Sequence, residues 1–120
     1  MIWVGKMIVL LLMVSLLNIS IENRVIYKDE SSADKNGIVE TVFLIANNSN
    51  QPVNIISISP HCACTEFKLE KWKIDPGKKT NLILTVPIDQ LKSLREVHAV
   101  IKTDSQQKFL KVSIKYGKAT

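Results

Sequence analysis

Beyond residue 37 the chain is written in short β-rich runs parted by turn residues, and that rhythm constrains its fold more than any other feature. Residues 38–46 carry Thr41, Phe43 and Ile45 on one parity and Val42, Leu44 and Ala46 on the other. Both faces are apolar, so alternation does not choose which one turns inward. Residues 47–52, rich in Asn and Ser and ending in Pro52, read as a turn, because these residues favour turn geometry over a strand ladder. Residues 53–59 make a second run, ended by Pro60, and 79–86 a third, with Leu82, Leu84 and Val86 sharing a face. Residues 97–103 make a fourth. In the last run Leu110, Val112 and Ile114 alternate with Lys111, Ser113 and Lys115, the pattern of a half-buried strand whose lysines are expected to discourage edge-to-edge pairing.

The intervals are less regular. Phe67, Leu69, Trp72 and Ile74 mark an apolar segment closed by the turn signal Asp75-Pro76-Gly77. Trp72, flanked by Lys71 and Lys73, reads as a sandwich-packing ring in preference to an exposed recognition aromatic. Residues 87–93 suit a short helical turn with Leu91 and Leu94 pointing inward. Residues 25–27 suit an edge strand and 29–37 a polar loop. No segment after the first twenty or so residues sustains helical periodicity over ten residues. Short strands at this spacing predict an all-β fold, an immunoglobulin-like β-sandwich.

The N-terminus is different. One positive charge, Lys6, precedes an apolar stretch from 7 to 17, the layout of a secretory signal. The run is shorter than the ~20 apolar residues that span a bilayer, although Ile19 and Ile21 extend it. Residues 18–20 make a poor cleavage site, so a cleaved signal and a retained anchor both stand. Either one puts the domain outside the cytoplasm, in the periplasm or anchored to the membrane. The expected organisation is a signal peptide or membrane anchor at 1–21, a polar linker with a candidate edge strand at 22–37, and the sandwich at 38–117.

The 120 residues carry a net charge of +5, from 14 Lys and only 2 Arg. The lysines are scattered singly, without the arginines and interleaved aromatics of a nucleic-acid surface, so nucleic acid is not an expected partner. No glycine-rich phosphate loop occurs. Neither His61 nor His98 has a placed catalytic role, and the carboxylates are scattered, so no enzyme activity is expected.

One motif carries chemistry: His61-Cys62-Ala63-Cys64-Thr65. On an extended strand the two cysteine α-carbons would lie ~6.5–7 Å apart, at the upper edge of disulfide geometry, and a sharp turn after Pro60 would bring them closer. A ring closing over one residue gains little stability and is easily reduced, hence a redox pair. Alternatively His61, Cys62 and Cys64 form a metal-ligand set suited to copper(I) or zinc, with Glu66 available to complete a tetrahedral site. His98 lies far off in sequence and is not placed with them. The bland readings are small packing residues at a strand end, free surface thiols, or an intermolecular disulfide.

The order of these elements resembles a known bacterial family. Phe43-Leu44-Ile45-Ala46-Asn47, Pro52-Val53, Cys62-Ala63-Cys64-Thr65 and Ile74-Asp75-Pro76-Gly77 occur in the sequence order of the domain of unknown function 1573 family, common in Bacteroidetes. The resemblance covers roughly residues 38–115. It implies an immunoglobulin-like sandwich similar to hydin-type and major-sperm-protein-type domains, exported or anchored, and it supplies no reaction. The chain departs from the family pattern in having Ala63 where the family has glycine, which argues against an unusual backbone between the cysteines. It also lacks the family's Phe-Gly entry before the first strong strand. The expectation is a non-enzymatic interaction or envelope module with an unknown protein partner, touching membrane only through its N-terminal segment. The rival is a small thiol protein that binds copper(I) or exchanges disulfides through Cys62 and Cys64.

Overall fold

The computed structural model describes residues 19–119. Most of the expected signal or anchor segment lies outside the described residues. Nine strands form two sheets: β1 (Ile19–Ile21), β3 (Ile38–Asn47), β7 (Lys79–Pro87) and β5 (Glu66–Leu69) make the first, in the order β1-β3-β7-β5. The second runs β2-β9-β8-β4-β6, from β2 (Val25–Lys28), β9 (Phe109–Tyr116), β8 (Glu96–Thr103), β4 (Val53–Pro60) and β6 (Lys73–Ile74). The described residues are all-β apart from a 3₁₀ turn at Glu30–Ser32 and one short helix, α1 (Ile88–Leu94).

The ambiguous run resolves cleanly. Val39, Thr41, Phe43 and Ile45 turn inward from β3, opposite Val86, Leu84, Leu82 and Thr80 of β7. Val97, Ala99 and Ile101 of β8 and Leu110, Val112 and Ile114 of β9 supply the facing layer, all of them buried. Phe43 is the largest fully buried side chain between the sheets. Burying such side chains stabilises by about 1.5–3 kcal/mol each, which is what holds the two sheets face to face.

Four expectations are corrected. Ile19–Ile21 forms a strand with Ile19 and Ile21 buried in the core, so the sandwich starts inside the segment assigned to the leader. β9 is not an edge: β2 pairs with it in parallel, and its lysines stand on an interior strand. Leu94 does not point inward but is exposed, because Arg95 ends α1 in the left-handed region (φ 70°) one residue later; Leu91 alone is buried from this helix. Trp72 is exposed too, meeting Phe67 edge to face at 6.4 Å, because β5 and β6 are sheet edges with no layer above them.

Asn47 ends β3 fully buried and fully bonded. Its Nδ2 donates to the carbonyls of Gln51 (2.7 Å) and Ile74 (2.9 Å), and its Oδ1 accepts from the backbone N–H and hydroxyl of Ser49. One side chain thereby fixes two neighbouring turns. Thr41 is the opposite case: buried in mid-strand, its hydroxyl has no partner. An unpartnered buried hydroxyl costs about 1–3 kcal/mol, whereas an apolar group of the same shape does not. Thr41→Val is therefore expected to stabilise the fold by about 1 kcal/mol and Asn47→Ala to destabilise it by about 2 kcal/mol or more. Urea denaturation of the two variants against the parent reads both signs.

Candidate functional site

Sandwich chains must cross between sheets, and the cysteine motif is one such crossing. β4 belongs to the second sheet and β5 to the first, so residues 61–65 carry the chain over a gap of about 10 Å. His61 prolongs β4 by one bond, its N–H donating to the carbonyl of His98 at 2.8 Å. The chain then turns sharply, with the N–H of Thr65 donating to the carbonyl of Cys62 at 3.0 Å. Thr65 is buried and seats the entry to β5. The turn needs no left-handed residue: Arg95 is the one non-glycine with positive φ among the described residues, so alanine serves at position 63.

The turn brings the Cys62 and Cys64 α-carbons to 5.1 Å, well inside the extended-strand separation, and the two sulfurs are bonded. Both cysteines are half-buried, packed against the rim of the core, while His61 and Ala63 are exposed. The backbone N–H of Cys64 points at the Cys62 sulfur, 3.1 Å away. The disulfide thus staples the turn that crosses between the sheets, with both cysteines partly open to solvent.

The sequence separates His98 from this motif by more than thirty residues, and the sheet reunites them. Pro60 pairs with Ala99 across β4 and β8, which puts the rings of His61 and His98 in a stack, centroids 4.3 Å apart and planes 20° from parallel. Nothing in the sequence signals that contact except parity, since it depends on two strands with four elements between them. Partial burial, then the neighbouring His61 and Lys111, hold the His98 imidazole below its ordinary pKa of 6.5, with Glu96 opposing.

Of the three metal-ligand candidates, Cys62 and Cys64 are spent on each other in this state, so the copper(I) or zinc reading applies only to a reduced chain. Among the described residues no group of three or more His, Cys, Asp or Glu is arranged to hold a metal ion. Glu66 starts β5 on the far side of the turn and is not gathered with His61.

A family model described as "Protein of unknown function (DUF1573)" matches residues 19–116. Among solved structures the chain is similar to the crystal structure of a protein of unknown function from Porphyromonas gingivalis W83. The TM-score is 0.68 at 13% identity, over 83% of this chain and 46% of that one. The chain thus spans about half of that protein, and at this identity the likeness is one of fold alone. No curated protein matches.

The histidine pair has a pH signature. Because the folded state holds His98 below its unfolded pKa, the unfolded chain takes up the proton first, and stability falls as pH drops below 6.5. Thermal unfolding followed from neutral pH downwards is expected to show this loss in the parent and a flatter profile in His98→Gln.

Proposed function

The chain belongs to the DUF1573 family, and on that premise we propose that it is an extracytoplasmic, non-enzymatic interaction module of the cell envelope, built as an immunoglobulin-like sandwich. The observation that carries this reading is the outer face of the first sheet. Val42 is 50% exposed there and pairs across strands with Ile83, with Leu44 next along β3. A strand apolar on both faces is suited to cover on both; the inner one is buried within the domain, while on the outer one Leu44 and Ile83 are half-buried around the exposed Val42. The disulfide supports the compartment, since such bonds persist in oxidising surroundings. The chain's own N-terminal apolar run supports export. The partner is a protein of the envelope that lays an apolar surface on this face.

The test is site-specific photo-crosslinking in the native envelope. A probe at position 83 is expected to give one adduct of discrete mass, which Val42→Asp abolishes while leaving the unfolding free energy within about 1 kcal/mol of the parent. A well-folded protein that yields no adduct would contradict the reading.

A second reading, thiol–disulfide exchange, is favoured by the hydrogen bond from Cys64 N–H to Cys62 Sγ. An incoming dithiol would attack Cys64 Sγ with one thiolate. The S–S bond breaks, and Cys62 leaves with the electron pair as a thiolate, which that N–H favours. The second thiol of the donor then displaces Cys64 and closes the donor's own disulfide, leaving both cysteines reduced. The thiol of Cys64→Ser is therefore expected to titrate at lower pH than that of Cys62→Ser, followed by thiolate absorbance. The reverse order removes the assignment of Cys62 as leaving group.

A further inference from the structure

The strand ends divide the sandwich into two poles with different surfaces. The cysteine turn, α1 and the end of β9 lie at one. The other collects the start of β1, the end of β3 and the β8–β9 hairpin. The Ile19 N–H donates to the side-chain carbonyl of Gln107 in that hairpin at 2.5 Å. The apolar run of residues 7–17 ends two residues before Ile19. An anchor retained in that run would therefore tether the domain at the hairpin pole, away from the disulfide.

The hairpin pole is dressed for such a neighbour. Phe109, at the first position of β9, is 63% exposed, more than any other large hydrophobic side chain described. It pairs with Lys102, which pairs in turn with Ser57 beside the bulged residue Ile56, itself 52% exposed. Two apolar side chains thus flank a lysine stem across three strands. On the same sheet Lys73 lies next to Asn54 and Lys108 at the base of the hairpin, and at the same pole the first sheet contributes Lys79, next to Ala46, and Lys78, at the carbonyl that meets Asn47. Lys71 lies there too, its N–H bonded to the Thr80 hydroxyl; against these six lysines stand Glu70, Asp75 and Asp104, and Asp104 is engaged by the backbone N–H and side-chain amide of Asn54, both at 2.8 Å. At the disulfide pole acids and bases are interspersed: Glu30, for example, meets Lys92 at 3.3 Å and also accepts from Tyr116.

We infer that the hairpin pole is a membrane-contact surface, which rests on an anionic lipid bilayer with Phe109 and Ile56 entering the headgroup region and the lysines facing the lipid phosphates. The inference builds on the envelope reading above and adds a folded contact to the N-terminal segment. Its physics is that of peripheral binding, in which apolar side chains enter the interface and basic residues supply the attraction. Each lysine near an anionic surface strengthens the attachment about fivefold. The disulfide is then held at the end of the domain facing away from the bilayer.

The full chain is reconstituted into vesicles of equal parts phosphatidylglycerol and phosphatidylcholine, with a nitroxide on Phe109→Cys or, at the opposite pole, on Gln90→Cys. The label at 109 is expected to lose collisions with an aqueous nickel chelate several-fold relative to the label at 90. Lys78→Glu with Lys108→Glu is expected to reverse this, shifting the docked population more than about twentyfold, and so are vesicles of phosphatidylcholine alone. Equal aqueous exposure of the two labels in anionic vesicles overturns the inference, and so does shielding at 109 that survives charge reversal. Circular dichroism of each variant verifies that the fold is intact. Protease accessibility in intact cells reads the envelope location separately, so either proposal can fail alone.

Discussion

Everything in this domain follows from two apolar inner faces that must close on each other. Phe43, Leu84, Ile101 and Ile114 have no exposure to lose, and the layer they form admits almost no polar group. Such a core forces the chain to change sheets only at its ends. It does so at every connection between the described strands except the β8–β9 hairpin, with α1 carrying the passage from β7 to β8. Apart from the buried Thr41 hydroxyl, polar and reactive chemistry gathers at the poles: Asn47 and its turns at one, the bonded cysteines and stacked histidines at the other. The site is a by-product of the crossing. A five-residue passage from one sheet to the other has to turn hard, and the turn that seats Thr65 is the one that sets Cys62 and Cys64 within bonding distance.

How much of this could be read in advance depended on whether the information was local. The alternation of Leu110, Val112 and Ile114 fixed their burial without ambiguity, because period two is a property of the strand itself. Leu82, Leu84 and Val86 behaved in the same way. Val42 and Phe43 did not, since a strand with two apolar faces takes its orientation from neighbours that no window of sequence contains. The same limit hid the second histidine. His61 and His98 meet because β4 and β8 are adjacent, and adjacency is a tertiary fact. Trp72 misled for a related reason: a large ring in an apolar segment looks like core, but the strands around it are edges that nothing covers. Ile19 and Ile21 looked like the tail of a leader because apolar residues serve a membrane segment and a buried strand equally well.

The two poles also give the family resemblance physical content. Several of the residues that carry it fall where the chain changes sheets: Asn47 pins one crossing, Pro76-Gly77 turns another, and the cysteine motif makes a third. These are positions where backbone groups leave the ladders and side chains must stand in for them. The β-strands between them need only apolar residues at the right parity. That division explains how a fold can be shared at 13% identity. It also places the exposed apolar side chains of the outer faces outside the folding requirement, where they are free to serve contact.

The central claim is that β3, β7, β8 and β9 form one closed core, with β2, β5 and β6 as dependent edges. Amide hydrogen exchange read residue by residue under native conditions tests it most directly. The account predicts that the amides of Phe43, Leu84, Ile101 and Val112 exchange together at the slowest rate, through opening of the whole domain, while those of β2 and β6 exchange much faster. Slow exchange confined to one sheet, with the other exchanging independently, would contradict it.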